Sequence, residues 1–238
     1  KKIKVIKKFS NNYHDFYQSY FLTKKKSIPF VDAKLAISKD YFTIKKNSKW
    51  ITNYLSRYRT HLIRSEYDAI ISTSKSINTD NSLLNCRLNG FDKRKPDLVI
   101  IDLNLEIKKK LNLFKKVYKR KIFIVTSISK GKKISYFKKK GVKIIPIKSL
   151  VTKNDFINLF MSLKKYGYNR ILIESGLIFL KELLRNKIFY NLYIFKSSNI
   201  LGKKGKNNTS NDIIKQLKLK KKIKVNLNGD SLYKIRIK

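Results

Sequence analysis

Short apolar segments alternate with amphipathic segments along most of the chain. Leu98–Asp102 and Ile122–Thr126 are apolar runs of the kind found in parallel strands that are covered on both faces. Asp155–Lys165, by contrast, carries its apolar residues at the three- to four-residue spacing of a helix that packs along one face. Strands that alternate with helices in this way predict an α/β domain with a mixed sheet.

Turn and cap residues add detail to this outline. The Asn228-Gly229 dipeptide predicts a two-residue hairpin turn. Thr52 fits the N-cap of a helix that carries Leu55, Tyr58 and Leu62 on one face. The further predicted strands are Phe30–Ser38, Asp68–Thr73, Val142–Ile147, Arg170–Ile173, Phe189–Phe195, Ile223–Asn228 and Ser231–Ile237. The further predicted helices are Asn12–Leu22, Asn53–Arg64, Ile134–Lys140 and Leu177–Arg185, and Ser76–Arg87 is predicted to be a polar loop.

Composition excludes several classes of protein. With 42% hydrophobic and 12% aromatic residues, the chain is too apolar for a disordered polycation. It contains no unbroken apolar run of about 18 residues, so no membrane span is predicted. A single cysteine, Cys86, and two histidines, His14 and His61, exclude an internal disulfide framework and argue against a Cys- or His-based metal centre.

The net charge of +42 leaves two interpretations open. Lysines recur from Lys1 to Lys238 with no neutral half, which favours a charge spread over the whole surface of a globular domain. A basic nucleic-acid-binding protein is the alternative, and it depends on net charge alone. The chain begins with lysine, and we expect it to be a piece of a longer protein or a processed product.

An ordered set of short motifs resembles one known family. The set consists of Lys34 with Ser38 and Asp40, then Ser48-Lys49-Trp50-Ile51-Thr52, Arg64, Asp80, Leu84, Arg87, Glu174-Ser175-Gly176 and Ile200-Leu201-Gly202. Its order and spacing resemble the reductase domain of the bifunctional riboflavin-biosynthesis deaminase–reductases over roughly residues 28–238. Residues 1–27 resemble the end of the deaminase domain and its connecting helix. The deaminase zinc signature is missing, so deamination is not expected.

The resemblance implies a fold and an activity. The fold would be dihydrofolate-reductase-like, with three layers, a mixed and mostly parallel central sheet, and a C-terminal antiparallel hairpin. The enzyme would use NADPH to reduce the ribosyl group of 5-amino-6-(5-phosphoribosylamino)uracil, with hydride transfer to the first ribosyl carbon. Its partner would be this phosphorylated pyrimidine, with no specific nucleic acid and no membrane, and we expect a cytoplasmic homodimer.

The resemblance also implies the roles of individual residues. The implied catalytic residues are Lys34, Asp80 and Glu174. The implied substrate-binding residues are Ser48, Arg64, Leu84, Arg87 and Glu174. The implied cofactor-binding residues are Ile37, Trp50, Ser76, Asp80, Leu103, Gly176, Leu177 and Ile178, with Thr126 and Ser127 as weaker candidates. No metal ligand is implied.

Residue chemistry supports part of this assignment and leaves alternatives. Arginine suits bidentate recognition of a phosphate, although two arginines in so basic a chain also fit an ordinary surface. Trp50 fits either a core anchor or a cofactor contact, and Asp80 fits an ordinary solvated turn. Gly176 either lets a helix N-terminus approach a pyrophosphate or makes a plain turn.

Two further candidates lie in or directly after apolar strands. Lys34 lies within a largely apolar strand, where burial would lower its pKa. Glu174 ends a buried strand and would orient the substrate or relay a proton. His61 is expected on an exposed or half-exposed helix face, and Cys86 has no partner that would make it a nucleophile.

Several positions depart from the family pattern. The family usually has glycine where this chain has Tyr41, a small residue at Ile37 and serine at Leu103. Leu177-Ile178 also replaces the usual proline or alanine followed by threonine. These departures affect the cofactor side more than the phosphate side, and a degenerate, non-catalytic homologue is the second alternative.

Overall fold

The computed structural model describes residues 28–238 except 49, 92–94, 211–212, 218 and 220–221, together with 17, 18, 20–22 and 24. The predicted helix Asn12–Leu22 lies partly outside the described residues, and those of its residues that are described are helical. None of the described helices is both long and apolar enough to cross a membrane.

An eight-stranded sheet forms the centre of the molecule. Its strands are β1 (Phe30–Ile37), β3 (Ala69–Thr73), β4 (Asp97–Ile101), β5 (Ile122–Thr126), β6 (Lys143–Pro146), β7 (Arg170–Ile173), β8 (Asn191–Lys196) and β10 (Ser231–Arg236). Their order in the sheet is β10-β8-β1-β7-β3-β4-β5-β6, and every neighbouring pair is parallel except β10 with β8. The apolar strands β4 and β5 are interior strands of this sheet, and nearly all of their residues are buried because both of their faces are covered.

Helices and the apolar core cover both faces of the sheet. The helices are α1 (Tyr54–Arg64), α2 (Ser74–Asp80), α3 (Lys132–Lys139), α4 (Lys153–Lys165), α5 (Leu177–Arg185) and α6 (Ile213–Gln216), with 3₁₀ turns at Asn112–Lys119 and Gly202–Lys204. One apolar layer includes Phe156 and Leu180, and the other includes Ile63 and Phe137. The predicted three-layer architecture with a mixed, mostly parallel sheet is confirmed.

Helix α2 was not predicted, because Ser76–Arg87 was expected to be a loop. Thr73 caps the helix, its hydroxyl oxygen accepting a hydrogen bond from the Ser76 N–H at 3.3 Å. Ile77 is the only large apolar residue in the helix, so no apolar periodicity marks it in the sequence. Asp80 is consequently the last residue of a helix rather than part of a turn.

Helix α1 begins one residue later than predicted. Its N-cap is Asn53 rather than Thr52, since the Asn53 side chain accepts a hydrogen bond from the Ser56 N–H at 3.0 Å. The expected packing face is also wrong, because Leu55 and Tyr58 are exposed. The residues that α1 buries are Ser56, Thr60 and Ile63. Small polar side chains can face the interior here because the Ser56 and Thr60 hydroxyls both donate hydrogen bonds.

The carboxyl-terminal turn is confirmed, but one of its two predicted strands is not. Asn228 and Gly229 both have positive φ, at 47° and 87°, as a two-residue hairpin turn requires. Within the described part of Ile223–Asn228, pairing with β10 is limited to the start of the segment, where the Ile223 N–H bonds the Leu232 carbonyl at 2.8 Å. Asn226 then accepts a hydrogen bond from the Asn228 N–H, and this local bond competes with a regular ladder.

A second, two-stranded sheet joins β2 (Phe42–Lys45) to β9 (Gly205–Asn208) and was not predicted. β2 alternates apolar and polar residues over four positions only, and β9 contains no large apolar residue, so the alternation is too short to predict this pair of strands. A Cβ at Gly205 would lie 2.3 Å from the Phe42 ring. Glycine is therefore needed for the two strands to approach.

Asp230 connects the carboxyl-terminal turn to the start of α1. Its buried carboxylate accepts hydrogen bonds from the Asn53 N–H at 2.9 Å, the Ser56 hydroxyl at 2.7 Å and the Ser198 N–H at 3.1 Å. This one side chain therefore helps to position the helix that carries Arg64.

Replacing Asp230 by alanine is expected to lower the free energy of unfolding by about 2–4 kcal/mol, because it leaves buried donors without an acceptor. Urea unfolding would measure the change. Glu182→Ala, which alters an exposed ion pair on α5, serves as the control and should cost less than about 1 kcal/mol. Equal losses in both variants would contradict a special role for Asp230.

Candidate active site

A buried ion pair joins the end of α1 to the end of β7. The Arg64 Nε lies 2.6 Å from the Glu174 Oε1, and the Arg64 Nη2 lies 2.9 Å from the Glu174 Oε2. The two side chains are only 11% and 7% exposed. Burial alone would raise the pKa of Glu174, but the charge and hydrogen bonds of Arg64 lower it below its usual value. Glu174 is therefore ionised at neutral pH.

Lys34 adds a second cation to this pair. Its neighbour Ala33 pairs with Ile173 across β1 and β7, which brings Lys34 beside Glu174. Burial lowers the pKa of Lys34, as its apolar strand suggests, and Arg64 lowers it further, while Glu174 opposes the change. Three ionisable groups thus share a site where the charge of Glu174 stabilises two cations.

Arg87 lies on the loop after α2, and this loop brings it close to Arg64. The Asn85 carbonyl accepts hydrogen bonds from the Arg64 Nη1 at 3.1 Å and from the His61 Nδ1 at 2.9 Å. The Asn85 side-chain oxygen accepts a hydrogen bond from the Arg87 Nη1 at 2.8 Å, and the Arg87 Nη2 lies 3.2 Å from the His61 Nε2. The two arginines expected to bind one anion are therefore brought together by Asn85.

His61 is a functional candidate that the sequence did not reveal. It is half-buried, and burial together with Arg64 and Arg87 lowers its pKa to about 4. The one available indication was its position three residues before Arg64, which places both on one side of the helix. A lone histidine at that spacing is too common to identify a site.

Arg120 was also missed, and it holds the loop that leads to Arg87. Leu84 is buried and adopts a φ of 48°. Its carbonyl accepts a hydrogen bond from the Arg120 Nη1 at 2.6 Å, and Arg120 also bonds the carbonyls of Leu83 and Pro96. Burial, with Arg64 adding to it, lowers the pKa of Arg120 to about 10. Nothing in the sequence distinguishes this arginine from the chain's many other cations.

Two of the expected cofactor residues, Ser76 and Gly176, are in close contact. A Cβ added to Gly176 would lie 3.0 Å from the Ser76 hydroxyl, so glycine lets the start of α5 approach α2. Helix α5 has no side-chain cap at Gly176. Leu177 is buried in the first turn, and Ile178 is 72% exposed. Gly176 has no Cβ, and the first N–H groups of α5 have no side-chain cap, so a dinucleotide phosphate could approach this helix start closely.

Ser48 and Trp50 lie on the segment between β2 and α1, and both are exposed. The backbone N–H of Trp50 donates a hydrogen bond to the Ser48 hydroxyl at 3.3 Å. The Arg57 guanidinium lies 4.9 Å from the centre of the Trp50 indole ring. The core-anchor interpretation of Trp50 is wrong, since 49% of the residue is exposed. An exposed, cation-stacked indole is available to contact a ligand.

The other expected residues lie at strand ends or in loops. Ile37 is buried at the end of β1, and the side chain of Asp80 is exposed. The Leu103 carbonyl accepts hydrogen bonds from the Thr126 hydroxyl at 2.9 Å and the Ser127 hydroxyl at 2.8 Å. Both hydroxyls thus donate hydrogen bonds to the loop after β4, and this structural role argues against Thr126 and Ser127 as cofactor ligands.

Tyr41 occupies a position that favours glycine. Its φ is 70°, in the left-handed region that a bulky side chain rarely adopts. The conformation is stabilised by two hydrogen bonds that its carbonyl accepts from Thr209, each at 2.9 Å, and by the Lys196 ammonium 4.5 Å from the ring centre. The backbone geometry explains a glycine here, and these contacts explain how a tyrosine is accommodated.

A shallow hollow of about 790 Å³ lies elsewhere, at the amino ends of β3, β4 and β7, and none of the expected site residues lines it. Its carboxylates serve the fold: Asp97 accepts a hydrogen bond from the Tyr168 hydroxyl, and Asp68 accepts one from the Asn169 N–H. Among the described residues, His, Cys, Asp and Glu side chains form no group of three that could hold a metal ion.

Two curated relatives from Buchnera aphidicola are similar to this chain. The riboflavin biosynthesis protein RibD of subspecies Baizongia pistaciae is 31% identical over 202 residues, covering 78% of this chain and 52% of that protein. The 5-amino-6-(5-phosphoribosylamino)uracil reductase of subspecies Acyrthosiphon pisum is 30% identical over 178 residues, covering 67% of this chain and 80% of that protein. The chain thus spans about half the length of the first of these relatives.

Solved structures share the fold at lower identity. RibD of Acinetobacter baumannii superimposes with a TM-score of 0.76 at 19% identity, covering 94% of this chain and 62% of that one. The riboflavin biosynthesis reductase Rib7 of Saccharomyces cerevisiae gives 0.69 at 20% identity, covering 96% of this chain and 100% of that one. The family model described as the RibD C-terminal domain matches residues 29–230. The chain therefore belongs to the RibD C-terminal domain family.

Proposed function

We propose that this chain is an NADPH-dependent reductase of 5-amino-6-(5-phosphoribosylamino)uracil that forms the 5-phosphoribitylamino product. Family membership and the reductase name of one Buchnera relative support this proposal. The observation that carries it is the arrangement of Arg87, Arg64, Glu174 and Lys34, in which an anion-binding arginine lies next to a buried acid–base pair. The preference for NADPH, the homodimer, the cytoplasmic location and the division into residues 1–27 and 28–238 are part of the proposal.

The two arginines would have different tasks. A guanidinium has five N–H donors, and Arg64 uses three of them on Glu174 and Asn85. Arg87 is exposed and donates two to described residues, one each to Asn85 and His61, which leaves three N–H groups that no described residue accepts. Arg87 would therefore be the main phosphate ligand, while Arg64 mainly fixes Glu174.

Lys34 and Glu174 would handle the proton that accompanies reduction. The ring-opened ribosylamine has a C=N bond, whose carbon takes a hydride and whose nitrogen takes a proton. NADPH supplies the hydride when it is bound. Lys34, whose pKa burial lowers, is suited to donate the proton, and Glu174, which remains ionised, would hold the ammonium in place.

On the cofactor side, Ser76, Gly176 and Trp50 would make the main contacts. The close Ser76–Gly176 approach and the start of α5 would receive the pyrophosphate, and the exposed Trp50 ring would contact the cofactor. Leu103 and Ile178 would supply apolar contacts where the family usually has small or polar residues, whereas Ile37 and Leu177 have buried side chains and would contact the cofactor through their backbones only.

Gly176→Ala is expected to weaken NADPH binding about tenfold, because the new methyl group lies against Ser76 and the approach to the backbone. Fluorescence titration with NADPH would measure the dissociation constant. Ser76→Ala and the double variant Gly176→Ala/Ser76→Ala separate the two contributions, because Ser76 is itself a proposed cofactor contact. The double variant should be more stable than Gly176→Ala but should bind NADPH about tenfold more weakly than Ser76→Ala does. If the double variant binds NADPH as tightly as Ser76→Ala, Gly176 matters only for packing against Ser76.

The proposed function is tested by NADPH fluorescence and NADPH oxidation at low and moderate salt, with the phosphoribosylaminouracil as substrate. We expect saturable NADPH binding that survives moderate salt, and substrate-dependent oxidation. NADPH binding without turnover would indicate the degenerate homologue. If the chain binds no NADPH but binds an oligonucleotide with an affinity that falls steeply as salt is added, the nucleic-acid alternative suggested by the charge of +42 is favoured.

A further inference from the structure

We infer that His61 and Asn85 are positioning residues that fix the Arg87 guanidinium for the phosphate of the substrate. The inference rests on the proposed function, since it assigns these two residues to the anion-binding part of that site. Neither residue needs to touch the substrate. They act by holding a flexible side chain in one orientation before the ligand arrives.

The contacts hold the guanidinium at both terminal nitrogens. The Arg87 Nη1 donates to the Asn85 side-chain oxygen at 2.8 Å, and the Arg87 Nη2 lies 3.2 Å from the His61 Nε2. Two anchors on one planar group fix its plane. Arginine otherwise loses considerable rotamer entropy when it binds a ligand, so a pre-oriented guanidinium binds more tightly.

Hydrogen-bond chemistry then defines the state of His61. The Asn85 carbonyl can only accept, so the His61 Nδ1 must carry the proton. The Arg87 Nη2 can only donate, so the His61 Nε2 must be an acceptor. Only the neutral ring with its proton on Nδ1 satisfies both neighbours.

The charges around His61 maintain that state. Arg64 from the same helix and Arg87 from the loop face it, and they add to burial in lowering its pKa to about 4. Glu174 at the end of β7 and the Asn85 carbonyl act in the opposite direction. The imidazole is consequently a permanent acceptor for Arg87 at physiological pH, and it does not act as a switch.

Asn85 also connects the anion-binding arginine to the acid–base pair. Its carbonyl accepts from both His61 and Arg64, while its side chain accepts from Arg87. Because Arg64 in turn holds Glu174, the orientation of Arg87 is set relative to the reacting centre.

His61→Gln and His61→Asn provide a matched test. The glutamine amide lies near the position of the imidazole Nε2, whereas the asparagine amide lies near the position of the imidazole Nδ1. Glutamine can still accept from Arg87, whereas asparagine can reach only the Asn85 carbonyl. We expect His61→Asn to raise KM for the phosphoribosylaminouracil, and the inhibition constant for inorganic phosphate, about five- to tenfold, the effect of one lost hydrogen bond. His61→Gln should change both by less than threefold. The NADPH dissociation constant should be the same in all three proteins.

Nitrogen-15 NMR gives a readout that does not depend on turnover. The chain has two histidines, and the signal lost in His61→Gln identifies His61. We expect that signal to show the Nδ1–H tautomer and to titrate below pH 5. A His61 that titrates near 6.5, or that carries its proton on Nε2, would overturn the inference.

The outcomes separate this inference from the proposed function. If the wild-type chain oxidises NADPH with the phosphoribosylaminouracil but His61→Asn has an unchanged KM and phosphate inhibition constant, the positioning role is wrong and the function stands. If the wild-type chain neither oxidises NADPH nor responds to phosphate, the proposed function fails and the inference falls with it.

Discussion

Glu174→Gln is expected to lower kcat by at least about 100-fold and the free energy of unfolding by about 3 kcal/mol, because it removes the counter-charge of a buried ion pair. The carboxylate compensates the buried Arg64 through two hydrogen bonds and also stabilises the Lys34 cation. A neutral amide leaves these cations uncompensated and turns an N–H₂ group toward one of them. Breaking a buried pair on one side is costly because the remaining charge stays buried.

Urea unfolding and NADPH oxidation would measure the two effects. Glu182→Gln is the matched control, since its pair with Arg185 is mostly exposed and should contribute less than about 1 kcal/mol. A variant at position 174 that loses less than threefold in kcat, with a stability equal to that of the control, would contradict the role assigned to the pair.

The same substitution should change how stability depends on pH. The pKa of Glu174 is lower in the folded chain than its ordinary value of 4.5. Its contribution is therefore complete above about pH 4.5 and is lost as the pH falls through the folded value. The difference in stability between the wild type and Glu174→Gln should accordingly be largest near pH 7 and shrink below about pH 4.5. A difference that is constant from pH 7 to pH 3.5 would show that the carboxylate charge is not what matters.

Arg87→Ala should have the second largest effect, raising KM for the phosphorylated substrate about 30- to 100-fold with NADPH affinity within twofold of the wild type. Arg87 is exposed and, within the described part of the chain, has three N–H donors left after binding Asn85 and His61. A charge-assisted bond from arginine to phosphate is worth roughly twice a neutral hydrogen bond. Steady-state kinetics would give KM, and fluorescence titration would give NADPH affinity.

Two comparisons make this test specific. Arg185→Ala removes the same charge from the exposed end of α5 and controls for the general attraction of anions to a basic chain. Arg64→Ala should instead lower kcat and stability, because most donors of Arg64 serve Glu174 and Asn85. Equal losses of substrate and NADPH affinity in Arg87→Ala would refute its assignment as the phosphate ligand.

The elements that the sequence predicted well are those that burial dictates. β4 and β5 are read from apolar runs because a strand covered on both faces has few alternatives. The resemblance named Lys34 and Glu174, and the same reasoning supported both, because an ionisable residue in or directly after such a strand stands out. The elements that it missed, α2 and the small β2–β9 sheet, are short and contain few apolar residues, and they are held by a hydroxyl cap and a glycine contact rather than by apolar periodicity.

The geometry of the site could be predicted only in part, for a related reason. The motif set named both arginines, but their meeting at Asn85 depends on side chains about 20 residues apart in sequence that no pattern connects. Arg120 acts through hydrogen bonds to three backbone carbonyls, and His61 acts through one carbonyl and the Arg87 side chain. Such contacts follow no fixed spacing in the sequence, so the residues that make them cannot be distinguished from the many other cations of this chain.

Placement of β1 between β7 and β8 has a consequence for synthesis of the chain. The first strand of the central sheet pairs with segments that are made about 140 residues later, for β7, and about 160 residues later, for β8. At ribosomal rates of about 5–20 residues per second, this strand waits roughly 7 to 28 s for β7 and roughly 8 to 32 s for β8. During that interval its apolar side chains depend on non-native shielding, such as a chaperone. No nascent fragment that stops before β7 can assemble the catalytic group, since Lys34 then has no Glu174 beside it.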